Sequence, residues 1–178
     1  MVVSSLRVRY GLESLVNLMS NLQQTSSIEE VEGKLMSYEQ VDCPLKHHFS
    51  PGVYMREITM PAGSIILGHE HITKHLNIIS KGSCRLLDIE TGEVTILEAP
   101  YTFESEAGVR KLLYIIEECV WSTVHVTEET DLDTLEEELI IHSEIHKELE
   151  GGLVYGMGSS RSSSSKYGIK YSRTEGSS

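Results

Sequence analysis

Residues 49–100 read FSPGVYMREITMPAGSIILGHEHITKHLNIISKGSCRLLDIETGEVTILEAP. Val, Ile, Thr and Tyr are frequent here, and Pro51-Gly52, Pro61-Ala62-Gly63, Lys81-Gly82 and Thr91-Gly92 interrupt the run at fairly regular intervals. β-Branched and aromatic residues suit a pleated, half-buried surface, while Gly and Pro provide the turns between such surfaces. YMREITM (54–60) and CRLLDIE (84–90) alternate in the period-two manner of strands with one covered face. ETGE (90–93) predicts a hairpin turn with VTILEAP as its return strand, and KLLYIIEECVWSTVHVT (111–127) predicts two more strands around a Glu117-Glu118 turn. Many short antiparallel strands in one stretch imply a mainly β fold, a small barrel or jelly roll.

The flanks read differently. GLESLVNLMSNLQQ (11–24) places Leu12, Leu15, Val16, Met19 and Leu22 at helical spacing. Ser27 and Glu30 match a capping box, with Ile28, Val31 and Leu35 on one face of a second helix. TDLDTLEEELIIHSEIHKEL (130–149) predicts a helix with Thr130 as N-cap and a seam of Leu132, Leu135, Leu139, His142, His146 and Leu149. Residues 151–178 are mostly Gly and Ser, a composition that cannot build a core. The organisation expected is a helical extension (1–47), a β-barrel (48–127), a helix (128–150) and a flexible tail (151–178).

Charge and cysteine content narrow the partners. At 178 residues with a formal net charge of −12, the chain repels phosphate backbones and anionic lipid. Nucleic acid and membrane are therefore poor partners, and no apolar run approaches the roughly 20 residues of a membrane span. Cys43, Cys84 and Cys119 are odd in number and far apart, which fits a reducing compartment rather than a disulfide framework. With no secretory signal evident at the N-terminus, the expectation is a cytoplasmic protein. The tail carries Arg161, Lys166, Lys170 and Arg173 against Glu175, a local basic segment suited to lie along a protein partner or to touch nucleic acid.

Within the β region, GHEHITKHLNI (68–78) holds His69, His71 and His75. On a helix, His71 and His75 would share a face, but Ile72-Thr73-Lys74 lacks the general base of a zinc-protease HExxH, and the lead-in GSIILG is β-like. On a straight strand His75 would lie roughly 13 Å beyond His71, at about 3.3 Å per residue, too far for a shared ion. The three can meet only if the chain turns near Thr73-Lys74.

With that turn, the stretch resembles the first motif of the cupin family, G-x5-H-x-H-x3-E-x6-G. Gly63, His69, His71, His75 and Gly82 reproduce its spacing, with His75 at the Glu position. The resemblance spans roughly residues 48–126 and implies a jelly-roll barrel with His69, His71 and His75 pointing inward as metal ligands. A histidine in place of the glutamate favours Zn, Ni, Cu or Fe over Mn. The second cupin motif matches SEAGVRKLLYI (105–115) only loosely, with Lys111 where a ligand histidine belongs, and a charged lysine has no lone pair to offer. WSTVHVT (121–127) puts Trp121, Thr123 and His125 on one face, making His125 the candidate replacement.

The chain is also similar to small cupin-type proteins of tailed bacteriophages and bacteria, through APYTF, VWSTVH and the TDL acidic helix. That implies either a metal-binding cupin of unassigned activity or a non-enzymatic virion accessory that uses the barrel as a scaffold. Arg110, Lys111 and Tyr101 are candidates to hold a substrate, with Glu57, Glu104 or Tyr101 as acid or base. The Leu132/Leu135/Leu139 seam and exposed sheet edges predict a homo-oligomer. His142 and His146 are read as part of that seam.

Overall fold

The structure is a computed structural model that describes residues 28–88 and 93–141, together with the backbone of residues 6–9. In chain order the elements are β1 (Leu6–Arg9), α1 (Ile28–Met36), β2 (Leu45–Ser50), β3 (Val53–Met60), β4 (Ser64–Leu67), β5 (Glu70–His71), β6 (His75–Leu87), β7 (Val94–Glu98), β8 (Tyr101–Ser105), β9 (Leu112–Val126), α2 (Leu132–Leu139) and β10 (Ile140–Ile141). The expected helix over 11–24, the His142/His146/Leu149 end of the seam and the tail lie outside the described residues.

Two long strands form the spine of the barrel. β6 and β9 run antiparallel from Leu76 opposite Val124 to Leu87 opposite Leu112. The other edge of β9 is shared by β3, from Val53↔Val126 to Met60↔Cys119, and β4, from Ile65↔Tyr114 to Leu67↔Leu112. The other edge of β6 is shared by β8 near His75 and β7 near Leu87. β2 extends the sheet beyond β3, and β1 extends it beyond β4. All pairs are antiparallel, the arrangement of a mainly β jelly-roll barrel.

Two expected turns are not turns. Lys81-Gly82 lies inside β6 and Glu117-Glu118 inside β9, and neither strand breaks. A bulge absorbs both: the register shifts between Ile79 and Cys84, and Ile116, Glu117 and Glu118 are exposed in succession. The two glutamates thus both face solvent, where Lys81 Nζ lies 2.7 Å from Glu118 and Ser83 Oγ donates to Glu117 at 3.2 Å. A bulge lets a strand carry a pair of charges that regular alternation forbids.

The core has an inside and an outside. All of β4 is buried because both of its faces are covered. Ile66 points into the barrel with Met60, Ile79, Ile115 and Trp121. Ile65 and Leu67 point outward, where α1 covers them with Val31 and Leu35. The Ile28/Val31/Leu35 stripe read from the sequence is the face that does this. Arg110 secures α1 from the side, donating to the Glu32 carboxylate at 2.9 and 2.8 Å and to the Gly68 carbonyl at 2.9 Å.

Both members of that ion pair are nearly covered, at 13% and 5% side-chain exposure. Removing one partner strands the other as an uncompensated charge, and Glu32→Ala should lower unfolding free energy by about 3 kcal/mol. Urea denaturation measures this. The Glu32→Ala/Arg110→Met double variant should recover part of the loss, and a single variant within about 0.5 kcal/mol of wild type would refute the pair's role.

The C-terminal helix differs from expectation at both ends. Its N-cap is Asp131 rather than Thr130, with Asp131 Oδ1 accepting from Thr134 N at 3.0 Å. The described helix stops at Leu139, and Ile140-Ile141 turn extended to pair with Glu70 and His71. Two consecutive β-branched residues beside the open edge of β5 favour strand over helix. Leu135 and Leu139 pack on Tyr54 of the same chain, so these seam residues need no second chain to cover them, while Leu132 stays exposed.

Candidate metal centre

Three strands bring three imidazoles together. β5 presents His71, the chain bends through Ile72–Lys74, and β6 opens with His75 on the returning limb. His125 arrives on β9 in the alternation Trp121, Thr123, His125. Ring centroids lie 4.3 Å apart for His71–His75, 4.8 Å for His71–His125 and 4.9 Å for His75–His125. All three are buried, and one ring nitrogen from each lies within 4.8 Å of the others.

Within these three rings, the buried nitrogens without a hydrogen-bond partner are His71 Nδ1, His75 Nε2 and His125 Nδ1. Such atoms are costly unless something occupies the space between them. His75 is oriented by its own turn, because its Nδ1 donates to the Thr73 carbonyl at 3.1 Å and leaves the Nε2 lone pair facing the cluster. That is the backing hydrogen bond metal-ligating histidines commonly make. Burial holds the His71 ring neutral, lowering its pKa to about 2, with His75, His125, Lys111 and Arg56 adding repulsion. Burial also lowers His75 to about 4, opposed by the Thr73 carbonyl, and His125 to about 4, helped by His75 and Arg56. Neutral imidazoles are the ligand form.

A metal–nitrogen bond of about 2.0–2.1 Å puts tetrahedral donors roughly 3.3 Å apart, so small ring rotations would gather these three around one ion. The residues fit a divalent transition metal. An all-nitrogen set suits Zn, Ni, Cu or Fe(II), and three protein ligands leave a position open.

The other expected site residues separate. His69 lies with its ring centroid 6.2 Å from His71, outside the three-nitrogen set, and lines the adjoining cavity. Lys111 lines the same cavity at 8% exposure, and burial lowers its pKa to about 8, leaving it mainly cationic at neutral pH. Arg110 is engaged by Glu32 and Gly68, so its guanidinium faces α1 rather than a ligand. Tyr101 packs on Phe103 with ring centroids 5.5 Å apart, away from the cluster. Glu57 pairs with Lys46, and Glu104 with Lys74.

Residues the sequence did not single out complete the surroundings. Asn77 follows His75 by two on the inward face of β6, donates to Ser105 Oγ at 2.8 Å and accepts from Trp121 Nε1 at 3.0 Å. Alternation from His75 was the available signal for it. Tyr54 sits opposite His125 across the β3–β9 ladder, stacks on its ring at 6.3 Å and bonds His47 at 2.7 Å. Its register with His125 is invisible without the pairing.

Cavities flank the cluster on two sides, with His71 and Arg56 bordering both. One, of about 70 Å³, lies inside the barrel; the other, of about 180 Å³, lies beneath α2.

Burial of neutral imidazoles has a pH consequence. Below pH 6.5 the unfolded chain takes up protons at these histidines, while folded His75 and His125 resist until about 4 and His71 until about 2. The metal-free protein should therefore lose stability as pH falls from 6.5 toward 4, by at most about 1.4 kcal/mol per histidine per pH unit. Circular dichroism should follow the acid unfolding, and stability unchanged between pH 7 and 4.5 would contradict neutral burial.

These features define a small antiparallel barrel with a buried three-histidine group at one end. No family model matches the chain, and no curated protein matches it. Among solved structures it is similar to an acetylacetone dioxygenase from Acinetobacter johnsonii, 18% identical over 47% of this chain and 58% of that one, with a TM-score of 0.38. A cupin-2 domain containing protein from Shewanella frigidimarina is 12% identical over 55% of this chain and 92% of that one, TM-score 0.38. An RmlC-like cupin family protein with a double-stranded β-helix fold, from Methanocaldococcus jannaschii, is 16% identical over 49% and 82%, TM-score 0.40. The chain spans 58–60% of the length of the two acetylacetone dioxygenases it matches, the second being a putative one from Methylibium petroleiphilum. No helix among the described residues is long and apolar enough to cross a membrane.

Proposed function

We propose that this is a cupin-type metal protein whose single transition-metal ion is held by His71, His75 and His125, its open position serving a small ligand in the barrel cavity. The observation that carries the reading is the convergence of three buried imidazoles, with one ring nitrogen of each within 4.8 Å of the others and a nitrogen in each ring that has no hydrogen-bond partner. The Gly63–Gly82 spacing supports it, with His125 supplying the ligand that Lys111 cannot. A bound ion of this kind acts as a Lewis acid or, if iron, as a site for O₂.

The chain's own residues do the rest. The Thr73 carbonyl fixes the His75 tautomer, Asn77 links Trp121 to Ser105 by hydrogen bonds, and Tyr54 stacks on the His125 ring. Among the described residues no carboxylate lines the barrel cavity, so proton transfer there falls to His69, Lys111 or bound water.

Cobalt(II) tests the reading. Titration into the metal-free protein at pH 7.5 should saturate near about one equivalent with the visible d–d absorption of a low-coordinate nitrogen site. Absence of saturable binding at micromolar protein would overturn it.

A further inference from the structure

Lys111 is the least expected residue in the barrel. Its side chain is buried at 8% exposure and lines the cavity beside His71 and His75. Among the described residues it has no ion pair and no side-chain hydrogen bond. A buried charge is ordinarily paired, because its lost hydration must be replaced. Acidic residues are plentiful in a chain with 27 acidic and 15 basic residues, yet among the described residues none lines this cavity. Arg56 adds a second cationic side chain to the wall, and Ile58, Met60, Ile66, Leu113 and Trp121 make the rest largely apolar.

We propose that the barrel cavity takes a small organic monoanion, a short-chain carboxylate, whose charge is met by Lys111 and whose hydrocarbon lies against Met60, Ile66, Leu113 and Trp121. The cavity, about 70 Å³, limits the ligand to a short chain. A bare inorganic anion would leave the apolar wall unused, and a neutral ligand would leave the ammonium unpaired. This deepens the metal reading, on which it rests in part: an ion held by His71, His75 and His125 would offer the carboxylate a second partner in the cavity that His71 and His75 line. The Lys111 contact itself does not require the ion.

The test uses the full chain, with butyrate as probe and butyramide as its neutral control. In calorimetric titrations of metal-free protein, butyrate should bind saturably and butyramide at least tenfold more weakly. Lys111→Met and Lys111→Gln should each lose tenfold or more in butyrate affinity, while Lys111→Arg retains most of it. Both neutral variants should fold, since each removes an unpaired buried charge. In cobalt-loaded protein, butyrate should also shift the visible absorption.

Equal binding of butyrate and butyramide, or unchanged affinity in both neutral variants, would overturn the anion site. A loss of cobalt affinity beyond tenfold in Lys111→Met would also overturn it, by making the amine a metal ligand. Lys111-dependent butyrate binding in a protein that takes up no cobalt would support the anion site and remove the metal reading alone.

Discussion

Protein carrying His71→Ala and His75→Ala together, purified from zinc-supplemented cells, should retain almost no metal where wild type retains about one equivalent. The magnitude follows from the geometry. Two of the three converging nitrogens are lost, and a lone His125 binds no better than an exposed imidazole. Single substitutions should each weaken binding beyond the roughly 10–100-fold typical of removing a supporting hydrogen bond. The barrel should survive, because its apolar cluster of Met60, Ile66, Ile79, Ile115 and Trp121 contains none of the three histidines. Unchanged far-ultraviolet circular dichroism is therefore the control, and elemental analysis the measurement. Equal trace metal in wild type and variant would end the proposal.

Gly82→Ala should unfold the protein or lower its stability by more than about 3 kcal/mol. Gly82 has φ +78° at the β6 bulge, and an added Cβ would sit 2.1 Å from the Glu118 carbonyl oxygen and 2.7 Å from its carbon. Those are backbone atoms of the neighbouring strand, so no side chain can swing aside. The two spine strands would have to part at the bulge. Gly33→Ala provides the contrast. Gly33 is exposed in α1 with nothing within 4 Å of the added carbon, and the change should stabilise by up to about 1 kcal/mol through helix propensity. Guanidinium midpoints measure both, and a Gly82→Ala variant within about 1 kcal/mol of wild type would show that the bulge can open.

What could be read in advance depended on whether the signal was local. The mainly β character was legible because alternation and turn residues are short-range patterns. The bend between His71 and His75 was legible because a straight strand separates them too far for one ion. His125 followed from counting along a single strand. Failures occurred where the determining contact lies far away in sequence. Arg110 looks like a ligand-binding cation until Glu32, 78 residues earlier, takes both of its terminal guanidinium nitrogens. Glu117-Glu118 look like a turn until the opposite strand supplies a bulge and Lys81. Ile140-Ile141 continue a helical heptad until the edge of β5 offers a better backbone partner.

The pairing of β10 with β5 sets an order of events on the ribosome. His71 emerges early, yet the strand that carries it finds its edge partner only when Ile140 has been made, roughly 70 residues later. At synthesis rates of about 5–20 residues per second, that leaves a gap of several seconds. For most of that interval the nascent chain holds His71 and His75 without His125, and throughout it lacks the β10 segment that pairs with β5. On the proposed metal reading, capture by all three histidines can only follow synthesis of His125, late in the making of the barrel.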